Sequence, residues 1–199
     1  MIFGAILAGG VGSRMNIADM PKQFLDLNGK PIIIHTLEKF LLNDKIDEIY
    51  IGVHPNWLLH MEDLIKEHIK IKQSHIHIVA GGSDRNTTIM NIIDQVEKEF
   101  GESEDHYIIT HDSVRPFVTS RIIDDNIEMV RKYGACDTAT EAIDTIVISN
   151  DGKVIHDIPE RKYLYQGQTP QSFKMSLLKN LYLDLSDDEK EILTDACKI

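Results

Sequence analysis

A glycine-rich loop directly after a buried strand is the feature that most constrains this chain. The apolar run at residues 2–7 is typical of a parallel strand that is buried on both faces. It leads into a loop with three glycines within residues 9–12, where the backbone can approach a ligand closely and direct its N–H groups toward it. Two cations follow, Arg14 and Lys22. Together these features predict a polyphosphate site at the end of the first strand.

The spacing of the glycines excludes two common phosphate-binding loops. A Walker A loop requires lysine and then serine or threonine after its last glycine, whereas Gly12 is followed by Ser13 and Arg14. The dinucleotide fingerprint requires a third glycine at the position that Met15 occupies. A tight turn without a ligand is the alternative for the glycines alone, and the two cations count against it.

Composition and charge indicate a globular protein and limit the kinds of partner that it can bind. The 199 residues are 42% hydrophobic and 27% charged, which is typical of a globular chain long enough for one sizeable core. We therefore expect a single domain over residues 1–199. The formal net charge of −11 argues against nucleic acid as a partner, so a polyphosphate site must be a basic island on an acidic surface.

Other sequence signals concern the cellular compartment. The sequence has no apolar run long enough to span a membrane, and the apolar start lacks the basic region of a signal peptide. Cys136 and Cys197 fit neither a disulfide framework nor a zinc site. These observations predict a cytoplasmic protein without a membrane partner.

Strand and helix patterns alternate along the first two thirds of the chain. This alternation predicts right-handed crossovers and a mostly parallel sheet covered by helices, an α/β fold. Ser186 and Glu189 have the spacing of a capping box at the start of the last helix. The predicted strands lie at 46–53, 76–80 and 107–110, and the predicted helices at 57–69, 86–100, 119–133, 174–183 and 187–198.

A different pattern occupies residues 137–165, which we call the arm. Residues 138–149 and 153–158 resemble two strands, and the sequence Asn-Asp-Gly at 150–152 is a hairpin-turn signal. An isolated hairpin is only marginally stable in water, so we expect the arm to pack on something. The predictions are a protruding β-hairpin and a homodimer formed through it.

Four sequence blocks resemble the cytidylyltransferase branch of the sugar-phosphate and polyol-phosphate nucleotidyltransferases. That branch contains the ribitol-5-phosphate and 2-C-methyl-erythritol-4-phosphate enzymes. The resemblance implies a Rossmann-like nucleotidyltransferase fold, with CTP and a polyol phosphate as substrates. Members of the family continue past the Asp-Ala-Cys-Lys segment into a further strand that this sequence does not contain. The blocks are LAGGVGSRM at 7–15 with PKQF at 21–24, GGSDRN at 81–86, HDSVRP at 111–116 and QTPQSF at 168–173.

The resemblance implies a set of CTP-binding and catalytic residues. Arg14 and Lys22 take the catalytic positions near the α-phosphate, where two anionic reactants meet. In the second block, Thr87 or Thr88 supplies a hydroxyl to the base and Arg85 reaches phosphate, although Ser83 as a helix cap is an alternative. The implied CTP contacts are Leu7, Ala8, Gly9, Gly10, Gly12, Ser13, Gly81, Gly82, Ser83, Asp84, Arg85, Asn86, Thr87, Thr88 and Ser113.

Asp112 is the candidate metal ligand. It lies at the carboxyl end of a buried strand, where ligands bind in open α/β sheets. A carboxylate there is suited to holding Mg²⁺ against a triphosphate. The alternatives are a turn cap without metal and a structural ion pair with Arg115.

The acceptor phosphate is assigned to Arg161, Arg115 and Thr145. By the resemblance, Arg161 reaches across a two-fold axis into the neighbouring subunit. The alternative is that the arm folds back on its own chain and Arg161 is a surface cation.

These features lead to one main functional hypothesis and two alternatives. The main hypothesis is CTP:ribitol-5-phosphate cytidylyltransferase, which makes CDP-ribitol for teichoic acid or capsule. The first alternative is the 2-C-methyl-D-erythritol-4-phosphate enzyme of isoprenoid synthesis. The second is a nucleotide-binding domain without catalytic activity.

Overall fold

The computed structural model describes residues 1–10, 20–193 and 195–198. These residues contain six strands and six α-helices, joined by turns and loops. The strands are β1 (Ile2–Ala8), β2 (Glu48–Val53), β3 (Ile76–Ala80), β4 (Tyr107–Asp112), β5 (Ala135–Glu141) and β6 (Tyr165–Lys174). The helices are α1 (Ile32–Leu41), α2 (Leu58–His68), α3 (Arg85–Phe100), α4 (Ser120–Tyr133), α5 (Met175–Asp184) and α6 (Asp187–Ile192).

All six strands join one sheet in the order β3-β2-β1-β4-β6-β5. Strands β1 to β4 are parallel, whereas β6 runs antiparallel to both β4 and β5. From β1 the chain moves outward to β2 and β3, and it then crosses back to place β4 on the other side of β1. This reversal opens a crevice at the carboxyl ends of β1 and β4, where ligands bind in open α/β sheets.

Helices cover both faces of the sheet. Alternate side chains of β1 point to opposite faces, so Ile2 and Ile6 join the core beneath α1, α2 and α4, and Phe3 and Ala5 join the core beneath α3 and α5. This sandwich is the mostly parallel, helix-covered sheet that the alternating sequence predicts.

The helix ends follow the predicted capping signals. Thr119 caps α4 by accepting a hydrogen bond from the Ile122 amide. Ser186 and Glu189 form a complete capping box at the start of α6. The last predicted helix is shorter than expected, because α6 ends at Ile192 and only a 3₁₀ turn, Ala196–Lys198, follows it among the described residues.

The predicted arm hairpin is wrong in most of its length. Strand β5 stops at Glu141, and residues 142–164 contain one isolated bridge, between Ile148 and Asp157, instead of two paired strands. The turn signal itself is confirmed, since the Asp151 carboxylate accepts hydrogen bonds from the amides of Lys153 and Val154 at 2.8 and 2.9 Å. Apolar side chains of the arm are exposed, so no packed face holds the strands in register.

Two elements lie where the sequence analysis assigned none. Helix α1 follows Pro31 and buries six of its ten residues. Strand β6 contains Pro170, and proline argues against a central strand because it cannot donate to the ladder. Pro170 is tolerated because it lies between Gly167 and Gln171, where the pairing of β5 with β6 shifts register. No helix in the described part of the chain is long and apolar enough to cross a membrane.

Helix α3 packs unusually close to β2 at Gly52. A Cβ added there would lie 2.4 Å from Thr88 Cγ2 and 3.2 Å from Ile92 Cδ1. The missing side chain therefore lets the first turn of α3 approach the end of β2. This close approach fixes the position of the loop that precedes α3.

We expect Gly52→Ala to lower the free energy of unfolding by about 1–3 kcal/mol, because it overpacks this contact. Adding Thr88→Ser should recover part of the loss, since serine lacks the Cγ2 methyl but keeps the hydroxyl. Urea unfolding of the wild type and the two variants checks this. Equal stability of wild type and Gly52→Ala would contradict such a close approach.

Candidate active site

A cavity of about 320 Å³ opens at the carboxyl edge of the sheet, in the crevice between β1 and β4. Three segments that are distant in sequence meet there: the glycine loop with the turn at residues 22–23, the turn before α3, and the turn after β4. Its lining residues are Leu7, Gly9, Gly10, Lys22, Gln23, Gly82, Ser83, Asp84, Arg85, Thr88, Asp112, Ser113 and Val114. The predicted residues Gly12, Ser13 and Arg14 lie outside the described residues.

Gln23 holds the glycine loop at the end of β1. Its buried amide donates hydrogen bonds to the carbonyls of Ala8 and Gly10, at 2.8 and 3.2 Å. The two carbonyls are thereby turned toward Gln23, and the adjacent Gly9 and Gly10 line the cavity. Lys22 precedes Gln23 in the same 3₁₀ turn, so one short segment both anchors the loop and supplies a cation.

The second turn is built around Thr88. The Thr88 hydroxyl donates to the Asp84 carbonyl at 2.8 Å and accepts from the Gly82 amide at 3.0 Å. A Cβ added at Gly81 would lie 3.3 Å from this oxygen, and one added at Gly9 would lie 3.4 Å from it. Glycine at these positions therefore lets both loops close around a single buried hydroxyl.

Asp84, and not Ser83, is the cap of α3. Its carboxylate accepts hydrogen bonds from the Thr87 amide at 2.8 Å and the Thr87 hydroxyl at 2.6 Å. The helix begins one residue later than a Ser83 cap would require, at Arg85. Burial raises the pKa of Asp84, but the hydrogen bonds from Thr87 and Ser83 outweigh it and hold this pKa below its usual range.

Asp112 lies between two arginines. Its Oδ1 accepts a hydrogen bond from Arg85 Nη1, and its Oδ2 accepts one from Arg115 Nε at 2.9 Å. Burial raises the pKa of Asp112, but the charge and hydrogen bonds of Arg85, with those of Arg115, outweigh burial and hold this pKa below its usual range. The carboxylate is thus ionised and held at both oxygens.

This arrangement does not fit direct coordination of Mg²⁺ by Asp112, the role that the sequence analysis gave it. Both oxygens of Asp112 are taken by guanidinium groups, whose positive charges oppose a second cation at the same carboxylate. The structural ion pair, one of the two alternatives considered for Asp112, is what these residues form.

The turn after β4 is fixed from the opposite face of the sheet. Burial lowers the pKa of His111, and its Nε2 contacts the Arg115 carbonyl at 3.0 Å. A neutral ring that carries its proton on Nε2 donates this hydrogen bond. The Thr36 hydroxyl donates to the Ser113 carbonyl at 2.8 Å. These two contacts hold the backbone that presents Asp112 and Arg115.

Several predicted site residues lie elsewhere in the described structure. The Asn86 amide donates to the Leu193 carbonyl, and Thr87 bonds to Asp84, so neither side chain lines the cavity. Arg161 and Thr145 are exposed on the arm, where Arg161 Nη1 donates to the Ile143 carbonyl at 3.0 Å. Within one chain, the arm does not bring these two residues to the cavity.

Three glutamines were missed by the sequence analysis. Gln23 anchors the glycine loop, Gln168 accepts a 2.6 Å hydrogen bond from Arg115, and Gln171 accepts one from Arg85 at 3.1 Å. The blocks that carry the resemblance include all three, but the contacts of Gln168 and Gln171 depend on strand pairing. Since β6 itself was not predicted, its two glutamines could not be placed beside the arginines.

The fold and the cavity define a nucleotidyltransferase-type α/β protein, and comparisons specify the family. The family model described as 2-C-methyl-D-erythritol 4-phosphate cytidylyltransferase (IspD) matches residues 2–199. The chain therefore belongs to this family of CTP-dependent nucleotidyltransferases, whose enzymes generally use a divalent metal. Membership favours an enzyme over a binding domain without activity.

Solved structures show the same fold. The chain is 24% identical, at a TM-score of 0.76, to 4-diphosphocytidyl-2C-methyl-D-erythritol synthase from Anaerococcus prevotii DSM 20548, covering 99% of this chain and 81% of that one. The 2-C-methyl-D-erythritol 4-phosphate cytidylyltransferase from Thermus thermophilus is 20% identical with a TM-score of 0.70, over 100% and 82% of the two chains. The bifunctional IspDF from Campylobacter jejuni is 21% identical with a TM-score of 0.75, over 99% and 46%.

The ion pairs of Asp112 predict a specific pH dependence of stability. Because its folded pKa is depressed, Asp112 stabilises the fold above its unfolded pKa of about 3.9, and this contribution is lost as pH falls through the folded pKa. We expect Asp112→Asn to lower the free energy of unfolding by about 1–3 kcal/mol at neutral pH, with the deficit shrinking below about pH 4.

Denaturant unfolding between acid and neutral pH measures this deficit. Asp125→Asn is the matched control, because the contact of Asp125 among the described residues is an exposed ion pair with Arg121 at 3.7 Å. A deficit for Asp112→Asn that does not change with pH would contradict the depressed pKa.

Proposed function

We propose that this protein transfers the cytidylyl group of CTP to 2-C-methyl-D-erythritol 4-phosphate and releases pyrophosphate. The family match over residues 2–199 is the observation that carries the choice of acceptor. It favours the erythritol phosphate, and the use of its product in isoprenoid synthesis, over the ribitol 5-phosphate that the sequence blocks suggested. Ribitol 5-phosphate is the second candidate, because it presents the same group, a phosphate monoester on a polyol.

The reaction joins two anions. An oxygen of the acceptor phosphate attacks the α-phosphorus of CTP, a new P–O bond forms, and the bond to the pyrophosphate leaving group breaks. Repulsion between the reactants and the charge that develops in the transition state both require cations at this point. Lys22 borders the cavity beside Gly9 and Gly10, and we assign it and Arg14 to the α-phosphate.

The turn before α3 is the proposed base site. The Thr88 hydroxyl already donates its proton to Asp84 and accepts from Gly82. One lone pair remains, so Thr88 accepts a hydrogen bond but has no proton left to donate. The exocyclic amino group of cytosine is a donor, whereas the uracil oxygen at the same ring position is an acceptor. We therefore assign Thr88 to selection of CTP over UTP.

The acceptor phosphate completes its site across a homodimer in this proposal. Arg115 lies at the edge of the cavity with a half-exposed side chain, and we assign it to the acceptor phosphate together with the partner's Arg161 and the partner's Thr145. Exposed apolar residues of the arm support a two-fold contact, since their burial would stabilise a dimer. They are Ile143, Ile146, Val147, Ile148, Val154, Ile155 and Ile158, with exposed fractions from 39% to 83%.

Turnover of CTP with each acceptor tests the proposal. We expect pyrophosphate release with 2-C-methyl-D-erythritol 4-phosphate at a kcat/KM at least about tenfold above that with ribitol 5-phosphate, a difference of about 1.4 kcal/mol in transition-state binding. The opposite preference would restore the ribitol assignment. Release with neither acceptor would contradict the proposed function.

Two lysine variants control this assay. Lys22→Ala should lower kcat on the order of a hundredfold, because its ammonium group meets charge that develops in the transition state. Lys98→Ala removes an exposed lysine from the far end of α3 and should leave kcat unchanged. Equal activity of the two variants would remove Lys22 from the mechanism.

Mixing two inactive variants tests the composite acceptor site. Arg161→Ala and Lys22→Ala subunits each lack one group, but a heterodimer of the two contains one intact site if Arg161 acts in the neighbouring subunit. We expect the mixture to regain up to about a quarter of wild-type activity per subunit, because half of the dimers are mixed and each has one intact site.

Subunit exchange is followed by native mass spectrometry of the mixture. A mixture that exchanges subunits and stays inactive would show that Arg161 does not act across the interface. A wild-type chain that sediments as a monomer under assay conditions would contradict the dimer itself.

A further inference from the structure

A chain of polar contacts runs from the C-terminal segment to the cavity. Asp195 accepts hydrogen bonds at both carboxylate oxygens from Gln171 Nε2, at 3.0 and 3.1 Å. Gln171 Oε1 accepts from Arg85 Nη2 at 3.1 Å, and Arg85 Nη1 donates to Asp112. Asp195 is thus linked to Asp112 by hydrogen bonds through two side chains, the buried Gln171 and Arg85.

The side-chain amide of Gln171 has only one favourable orientation between Asp195 and Arg85. A carboxylate accepts hydrogen bonds and cannot donate them, and a guanidinium donates and cannot accept. The NH₂ group must therefore face Asp195 and the carbonyl oxygen must face Arg85. A reversed amide would place its NH₂ against a cation and its oxygen against an anion.

Arg85 depends on this orientation because it has few other partners. In the described part of the chain, its Nε is buried without a hydrogen-bond partner, and its terminal nitrogens donate hydrogen bonds only to Asp112 and Gln171. Loss of the Gln171 oxygen leaves the guanidinium held at one point. A planar fork held at one nitrogen can rotate, whereas one held at two cannot.

Asp195 is itself fixed by neighbouring groups. The Cys197 amide donates to its Oδ1 at 2.8 Å, and the adjacent Ala196 is buried against the core. The Asn86 amide on α3 holds the carbonyl of Leu193 at 2.9 Å. The carboxylate therefore occupies a set position relative to the first turn of α3, which carries Arg85.

We propose that Asp195 and Gln171 are positioning residues, which orient Arg85 so that it holds Asp112 at the edge of the cavity. They touch neither the substrates nor the reacting atoms. The inference rests on the proposed function, because that function places the reaction beside Asp112.

Substitution of Asp195 by its amide tests the proposal. Asp195→Asn replaces an obligate acceptor by an amide that can present either its oxygen or its NH₂ to Gln171, which weakens the preference of Gln171 for the orientation that serves Arg85. We expect kcat to fall on the order of 10- to 100-fold, as for other small displacements of the groups that border a reaction site. We expect Asp195→Asn to lower kcat and to leave the thermal stability of the protein unchanged.

The double variant Asp195→Asn with Gln171→Glu restores the pattern with donor and acceptor exchanged. The new carboxylate accepts from Arg85 and from the new amide, and the net charge of the chain is unchanged. Gln171→Glu alone places a third carboxylate beside Asp137 and Asp195 and should also lower kcat. We expect the double variant to recover part of the loss, the coupling expected of residues in one network, because the Asp137 carboxylate beside position 171 still repels the new carboxylate. A double variant no more active than the weaker single variant would overturn the proposal.

Asp188→Asn is the matched control, because it makes the same change at an exposed carboxylate of α6. Wild-type kcat for Asp188→Asn and for Asp195→Asn alike would overturn the proposal. If Asp195→Asn does not fold, Gln171→Met removes the amide at similar volume and should give the loss in kcat on its own; wild-type kcat for Gln171→Met would overturn the proposal.

Crystal structures of the same proteins give a readout that needs no turnover. The Arg85–Asp112 contact should be present in the wild type and the double variant and lost or rotated in Asp195→Asn. An unchanged contact in Asp195→Asn would overturn the positioning role. A wild type that uses neither acceptor would instead refute the proposed function, and this structural comparison would still decide the present inference.

Discussion

The parallel pairing of β1 with β4 is the constraint on which the site depends. Its register sets Leu7 opposite Asp112, so both strands end at the same level of the sheet. The glycine loop leaves one strand and the turn at residues 112–115 leaves the other. Because β1 lies at the point where the strand order reverses, two loops that are about a hundred residues apart in sequence share one cavity at this edge.

Cations are concentrated at this edge of the sheet, although the molecule as a whole is acidic. The chain carries a formal net charge of −11, yet Lys22, Arg85 and Arg115 lie in or beside the cavity. Asp112 holds the two arginines close together, which their mutual repulsion would otherwise oppose. A basic site on an acidic protein concentrates an anionic substrate locally without attracting nucleic acid over the whole surface.

The sequence predicted those strands and helix ends that depend on residues close together in the chain. The buried run of β1, the strand at Ile76–Ala80 and the cap at Thr119 all follow from neighbours in sequence. The arm was mispredicted because its apolar residues have the alternation of strands but no packed face in the described chain. Gln171 was missed because its role depends on which strands lie side by side, and the proline beside it concealed that strand.

The most direct test of the account is a crystal structure of the protein with CTP. We expect the triphosphate to lie against Gly9, Gly10 and the Lys22 ammonium group, and the cytosine amino group to lie within hydrogen-bond distance of the Thr88 hydroxyl. We also expect Asp112 to stay paired with Arg85 and Arg115. A nucleotide bound away from this crevice, or Asp112 released from both arginines and bound to a metal, would contradict it.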